Sequence, residues 1–379
     1  MPLVLDDEQQ LLRDTAREFL CDRSPVGRVR ELRDCRDSVG FSRELWSEMA
    51  ELGWAGIIFP EEYGGSGLGH AELGVVLEEC GRQLAAQPIL STVLLAGGAV
   101  LLGGNETQLK EQLPPICAGE RILALAFQEG SRHDPYAVAT CAVRDGGGYR
   151  LSGEKRFVLD GPAADALVVL GRSAGEPGER EGLTLFLVPT DQEGLEITPL
   201  RTVDSRVNAH VRLNGVELGA EAVLGEPERA ADVLDEVLDR ATVGLSAEML
   251  GSAEEAFDRT LAYLRERKQF GVPIGSFQAL KHRAAQMFCE LQLSRSVVLA
   301  ALRALDRGDP ERSALASMAK ARCADTVFRV GNEAIQMHGG IGVTDEEEIG
   351  FFLKRARVTQ LILGDAAFHR RRFAALRGF

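Results

Sequence analysis

Apolar positions recur with a helical period near both ends of the chain and alternate only in its middle. The first clear segment, DDEQQLLRDTAREFL (6–20), begins with aspartates suited to capping a helix. It places four apolar residues on one face: Leu12, Ala16, Phe19 and Leu20. This pattern predicts helices from residue 5 to about residue 121.

Two stretches interrupt the helical pattern of the first third. FPEEYGGSGLG (59–69) is rich in Pro and Gly and predicts a long loop, which is either functional or only a connector. ILSTVLLAGGAVLLGG (89–104) is too short for a confident membrane span and lacks the position and basic flank of a signal peptide. We therefore interpret it as a buried helix and its loop.

The character of the chain changes after residue 121. Short segments rich in Val, Leu, Phe and Thr, such as GLTLFLVP and HVRLNGVEL, are separated by Gly, Asp, Asn and Pro turns and predict strands. Helical periodicity then resumes, with breaks at FGVPIGS and DRGDPE. The chain is thus α+β, with a predicted N-terminal helical domain (1–122), a middle β domain (123–227) and a C-terminal helical domain (228–379).

Charge and cysteine content exclude several classes of function. The 379 residues carry a formal net charge of -14, which argues against binding the phosphate backbone of a nucleic acid. The 7 cysteines are widely spaced and form no CxxC pair, so neither a disulfide framework nor a zinc site is indicated. A reducing cytoplasm is the expected location, and no membrane span is expected.

Two turn segments could bind a ligand. QMHGGIGVT (336–344) has three glycines that allow backbone N–H groups to approach an anion such as a pyrophosphate, although a flexible turn is the simpler interpretation. Its His338 has no His, Cys or Asp at ligand spacing, so no metal site is predicted. RERKQFGVPIGSFQ (265–278) combines a cation cluster, an aromatic residue before a glycine, and a glutamine seven residues beyond that glycine. Ordinary helix capping is the alternative there.

Four ordered motifs resemble those of the acyl-CoA dehydrogenase family of flavoproteins over nearly the whole chain. They are ELGWAGIIFPEEYGGSGLG, GYRLSGEKRFVLDGPAADALVVLGRS, AYLRERKQFGVPIGSFQALKHRAAQM and AIQMHGGIGVTDE. The resemblance implies a helical N-terminal domain, a β-barrel-like middle domain and a C-terminal four-helix bundle. It also implies FAD bound across a subunit interface, and hence a homo-oligomer or a heterotetramer with a homologous subunit.

Cofactor-binding residues follow from the same resemblance. Arg267, Phe270 and Gln278 match positions that hold the phosphates and adenosine of a neighbouring subunit's FAD, although core packing is an alternative for Phe270. In the middle domain Phe157 matches an aromatic near the flavin ring. Six further positions correspond to cofactor-binding positions of the family: Gln336, Gly339, Gly340, Phe127, Gln128 and Leu159.

The family reaction needs a base that removes the α-proton of an acyl thioester while the β-hydride passes to the flavin. The usual base is a glutamate in a Glu-Gly-Thr step, which corresponds here to QLILGD, so Leu363 takes the place of the glutamate and Asp365 that of the threonine. A subset of the family places the glutamate on an earlier helix, where this chain has Ala241. Both usual positions therefore lack a base.

Flavin contacts depart from the family pattern as well. Gln128 takes the place of a threonine, and Leu159 replaces a Thr or Ser that would bind the flavin. Two carboxylates remain as candidate catalytic bases. Glu248 is the only charge in the small, apolar run 241–253, with an ion pair to a neighbouring arginine as its alternative. Asp365 has a helix N-cap as its alternative.

The departures resemble small-subunit members of heteromeric acyl-CoA dehydrogenases, in which a partner chain supplies the base. We therefore expect a subunit that oxidises an acyl-CoA or a related acyl thioester to the 2,3-enoyl product, with the base from Glu248, Asp365 or, as we favour, a partner. A non-catalytic partner subunit without flavin is one alternative. A flavin oxidase or a dehydrogenase of carrier-protein thioesters is another.

Overall fold

The computed structural model describes residues 4–379 and has helices at both ends of the chain with strands between them, as predicted. A π-helix, Ile89–Gly97, precedes α5. The helices before the strands are α1 (Asp7–Arg23), α2 (Arg28–Cys35), α3 (Arg43–Glu51), α4 (His70–Arg82), α5 (Gly98–Gly103) and α6 (Glu106–Cys117).

Eight strands form the middle of the chain. They are β1 (Leu123–Ala126), β2 (Cys141–Asp145), β3 (Gly148–Leu159), β4 (Ala166–Arg172), β5 (Leu183–Pro189), β6 (Leu195–Arg201), β7 (Val207–Leu218) and β8 (Val223–Leu224). The remaining elements are α7 (Ala231–Glu266), β9 (Lys268–Gln269), β10 (Val272–Pro273), α8 (Gln278–Asp306), α9 (Arg312–His338), α10 (Ile349–Thr359) and α11 (Ala366–Arg377).

Contacts group these elements into a β unit and a helical unit. The β unit comprises Leu32–Gly69 and Ala86–Ala241, and the helical unit comprises the chain up to Glu31, His70–Ala85 and Thr242–Phe379. Within the described residues no helix is both long enough and apolar enough to cross a bilayer.

Local sequence signals explain where the first helices begin. The Asp6 carboxylate accepts the backbone N–H of Gln9 at 2.9 Å, and the Gln9 side chain accepts the backbone N–H of Asp6, which is a capping box. Asn105 and Gln108 repeat this arrangement at the start of α6. The run 89–104 is the predicted buried helix, although its first part has π geometry.

The sheet of the β unit follows the order β6-β7-β3-β2-β4-β5-β8, and β1 pairs with β4. Neighbouring strands are mostly antiparallel, whereas β4 pairs in parallel with β1 and β2. Alternating residues of β3 and β7, including Leu151, Val211 and Leu213, join Phe186 in the apolar core of this unit.

In the helical unit α4 crosses α7 with no side chain between the two backbones. A Cβ atom on Gly81 would lie 2.0 Å from the carbonyl oxygen of Glu248, and one on Gly251 would lie 1.8 Å from that of Glu78. Both separations are far shorter than van der Waals contact, so only glycine fits at these two positions. In the same unit α9 packs against α8, α10 and α11.

Candidate functional site

Strand β3 contains a bulge that turns Phe157 out of the sheet. The register with β7 shifts between Lys155 and Val158, and Phe157 has a φ of 54°. Its side chain is 43% exposed. A bulge combined with positive φ at a non-glycine residue is typical of a functional site, because the strain persists only where the surroundings impose it.

The bulge is held from inside by a buried ion pair. Lys155 is fully buried, and its Nζ lies 2.6 Å from Oε1 of Glu129. The Glu129 carboxylate also accepts the backbone N–H groups of Ala139 and Thr140 at 2.7 and 3.0 Å. Burial lowers the pKa of Lys155 to about 8 although Glu129 opposes the shift. Lys155 was not among the predicted site residues, but period-two alternation with Leu151 places it on the inner face of β3.

The other predicted flavin contacts of the β unit lie beside this ion pair. The backbone carbonyl of Gln128 accepts the N–H of Arg156 at 2.7 Å, which joins the 127–129 segment to β3. Phe127 is buried, with its ring edge-on to that of His133 at 5.8 Å, and Gln128 and Leu159 are half-buried. Phe157 is therefore the one predicted contact of this unit with a large exposed apolar surface.

In the helical unit Phe270 stands at the tip of the β9–β10 hairpin. It has a φ of 54°, the following Gly271 has a φ of 80°, and the Phe270 side chain is 91% exposed. Two successive positive φ values form the tight two-residue turn that matches the twist of a hairpin. Phe270 is thus outside the core of this chain, and the core-packing alternative is wrong.

Cations flank this hairpin. Arg265, Arg267 and Lys268 are exposed, and within residues 4–379 no carboxylate forms an ion pair with any of them. Gln278 begins α8 and is exposed. Unpaired exposed cations beside an aromatic residue are suited to binding an anionic ligand with an aromatic group.

The glycine-rich turn after α9 lies at the same end of the helical unit as the hairpin. Tyr263 in the last turn of α7 stacks on His338 with ring centroids 4.5 Å apart, so the ends of α7 and α9 meet. His338 is buried, and its Nδ1 donates to the Ala334 carbonyl at 2.7 Å. Gly339 has a φ of 65°, and a Cβ atom on Gly339 or Gly340 would meet no atom within 4 Å. Gln336 is also exposed.

These residues fit an FAD molecule in chemical type. Guanidinium groups and open backbone at glycines bind a diphosphate, and exposed aromatic rings pack on flat heterocycles. All the candidate cofactor-binding residues of the helical unit are exposed. They are therefore accessible to a ligand or to another chain and are not part of the core of this unit.

The QLILGD segment joins α10 to α11. Leu363 is 4% exposed and has a φ of 57°, and the following Gly364 has a φ of 101°. Asp365 is the N-cap of α11, because its Oδ1 accepts the backbone N–H of Phe368 at 2.7 Å. Ala241, at the second position where a base was expected from the resemblance, is 0% exposed. Neither Leu363 nor Ala241 can accept a proton.

Glu248 lies in α7, 3% exposed, in an ion pair with Arg355 of α10. Its Oε1 accepts from Nη2 of Arg355 at 2.7 Å and from Nε at 2.9 Å. The arrangement matches the structural alternative considered for this carboxylate. The carboxylate is thus already bound by a guanidinium of its own chain.

Replacing Asp365 with alanine should lower the free energy of unfolding by about 1 kcal/mol, since it removes an N-cap. Asp365→Asn keeps a capping oxygen and should change stability by only a few tenths of that value. Urea denaturation followed by circular dichroism measures both changes. Equal losses in the two variants would contradict the capping role.

Known proteins resemble this chain over nearly its whole length. Family models described as the N-terminal, middle and C-terminal domains of acyl-CoA dehydrogenase match residues 6–120, 126–216 and 231–376. The chain is 31% identical over 382 residues to a probable acyl-CoA dehydrogenase, YngJ, of Bacillus subtilis (strain 168), covering 98% of each. It resembles the structure of butyryl-CoA dehydrogenase from Megasphaera elsdenii, with a TM-score of 0.92, 25% identity and 100% of each chain covered. A chain of the ChsE4-ChsE5 complex from Mycobacterium tuberculosis gives a TM-score of 0.89 at 29% identity, with 100% of this chain and 99% of that chain covered.

Proposed function

Because the chain belongs to the acyl-CoA dehydrogenase family, we propose that it binds FAD and is one subunit of an enzyme oxidising an acyl-CoA or related acyl thioester to its 2,3-enoyl product. We further propose that a homologous partner chain supplies the base. The family is one of oxidoreductases, and its members are FAD-dependent. The seven free cysteines are consistent with work in the cytoplasm.

The residues of this chain would bind and orient the cofactor. FAD, when bound, accepts the hydride from the β-carbon of the thioester. Arg267, with no carboxylate partner among the described residues, would pair with a phosphate, and the open backbone at Gly339 and Gly340 would admit the diphosphate. In the β unit the Phe157 ring would pack beside the flavin, and the ion pair between Lys155 and Glu129 would fix the bulge that presents it.

The observation that carries the partner proposal is the buried Leu363 at the position of the base. Leucine cannot accept a proton, Glu248 is held by Arg355, and the Asp365 carboxylate caps α11. Loss of a general base slows the chemical step by about 10²- to 10⁴-fold. A base from a second chain would restore that factor. The similarity to a chain of the two-protein ChsE4-ChsE5 complex supports such an assembly.

The test compares the purified chain with the same chain coexpressed with a homologue from its own organism that carries a glutamate at the base position. Activity is measured over a panel of acyl-CoA thioesters with an artificial electron acceptor. We expect turnover to rise about 10²- to 10⁴-fold on coexpression. Glu248→Gln and Asp365→Asn, each in the coexpressed enzyme, should leave turnover within about twofold of that of the unmodified pair.

Three other results would overturn parts of the proposal. Full turnover by the lone chain that Glu248→Gln abolishes would identify Glu248 as the base. An enzyme pair without the flavin absorbance at about 450 nm, and without activity, would indicate a scaffold subunit. Stoichiometric release of hydrogen peroxide on adding acyl-CoA would indicate an oxidase.

A further inference from the structure

Lys320 in α9 is an enclosed amine that binds the loop carrying the base position. Its side chain is 0% exposed, and Nζ donates to the carbonyl of Gly364 at 2.7 Å and to that of Gln360 at 3.2 Å. Burial lowers the pKa of Lys320 to about 7. Burying an amine is unfavourable for folding unless hydrogen bonds compensate for the loss of water. Here the two contacts that the amine makes are both with one loop, 360–364.

A second buried side chain, from a different helix, binds the same loop. His369 of α11 is 2% exposed, and its Nε2 lies 2.8 Å from the Leu363 carbonyl oxygen. Lys320 and His369 together therefore bind the carbonyls of Gln360, Leu363 and Gly364. Three of the five peptide carbonyls of the loop are fixed by side chains from two different helices.

These contacts hold Leu363 in an unfavourable conformation. A leucine with a φ of 57° lies in the left-handed region, which a residue with a Cβ atom rarely occupies. Its side chain is nevertheless 4% exposed and thus directed into the protein. Because the residue is not a glycine, the contacts around it must impose this conformation. Strain of this kind is retained where a particular side-chain direction matters.

We propose that Lys320 and His369 are positioning residues that fix the direction of side chain 363, so that the chain keeps a preformed position for a general base although leucine now occupies it. The inference rests on the proposed dehydrogenation. It also predicts that a single substitution, Leu363→Glu, gives the lone chain a base. The new carboxylate would take the α-proton of the thioester, and oxidised FAD, when bound, would accept the β-hydride as the 2,3-double bond forms.

The activity test uses the purified full chain with its flavin content measured. Leu363→Glu should raise acyl-CoA dehydrogenation by at least about 10²-fold over the wild-type chain, whereas the isosteric Leu363→Gln should give no rise. The rate of Leu363→Glu should increase with pH as a single carboxylate ionises, a profile that a purely structural change would not produce. The double variant Leu363→Glu/Lys320→Met should lose most of the activity that Leu363→Glu gains. Its kcat should fall by a larger factor than its KM changes.

Hydrogen exchange provides a readout that needs no activity. The N–H groups of Ile362 and Gly364 bond to the carbonyls of Val358 and Leu361, each at 3.2 Å. In the Lys320→Met chain these amides should exchange at least about tenfold faster, while amides in the middle of α8 keep their rates. His369→Leu should give the same local effect and serves if Lys320→Met does not fold.

The outcomes separate this inference from the proposed function. Unchanged exchange at 358–366 in both variants would overturn the positioning role. If the Leu363→Glu chain is inactive while the coexpressed wild-type pair is active, the proposal of a preformed base position is overturned. The partner proposal then remains intact. Full activity of the wild-type lone chain would instead overturn the partner proposal.

Discussion

Replacing Arg355 with methionine should lower the free energy of unfolding by about 3–5 kcal/mol. The variant leaves the Glu248 carboxylate, which is 3% exposed, without the guanidinium that donates to it at 2.7 and 2.9 Å. An uncompensated buried charge is much more costly than the loss of a surface contact. Urea denaturation of the purified chain, followed by circular dichroism, measures the change.

Two controls make the comparison specific. The double variant Glu248→Met/Arg355→Met removes both charges and should recover most of the loss, because buried ion pairs are often replaceable by apolar residues. Lys110→Met breaks an exposed i,i+4 pair with Glu106 and should cost less than about 0.5 kcal/mol. If the double variant were no more stable than Arg355→Met, packing rather than charge would explain the effect.

Replacing Gly251 with alanine should destabilise the protein by about 3 kcal/mol or more, although alanine is the better helix former. The added methyl group would lie 1.8 Å from the carbonyl oxygen of Glu78 and 2.7 Å from its carbonyl carbon. No rotamer change relieves a clash with backbone, so α4 and α7 must separate and open the packing around them. The midpoint of thermal unfolding and the urea midpoint should both fall.

Gly350 in α10 is the matched control for this substitution. A Cβ atom there would meet nothing within 4 Å, so Gly350→Ala should be neutral or should stabilise by up to about 1 kcal/mol. Gly81→Ala should resemble Gly251→Ala, because its methyl group would lie 2.0 Å from the Glu248 carbonyl oxygen. A stabilising effect at Gly251 would show that the two helices do not touch in solution.

The local pattern of apolar, polar and turn residues was sufficient to predict the main helical and strand regions of the fold. Aspartates at the start of α1 predicted its cap, which the Asp6 carboxylate provides. Short segments rich in Val and Leu predicted the strands β3 to β7, whereas β1, β2 and β8 were not predicted individually, and the Gly after Phe270 predicted a turn. These features depend on residues within a few positions of one another, so a single sequence contains the information.

Long-range pairs could not be predicted in the same way. Glu248 was identified as a lone charge in an apolar run, but its partner Arg355 is 107 residues away and is one of several arginines near the C-terminus. Lys320 likewise donates to the Gly364 carbonyl from 44 positions earlier in the chain. Periodicity reports which face of an element is buried and gives no information about which residue of another element it meets.

Enclosure of Lys155 has a practical consequence for covalent labelling. An amine with 0% exposure cannot reach an acylating reagent until the structure around it opens. Exposed lysines such as Lys268 and Lys281 react in the native state and calibrate the reagent. Because Lys155 lies in the β unit, the rate at which label appears on it measures how often the structure around this residue opens in an otherwise unmodified chain.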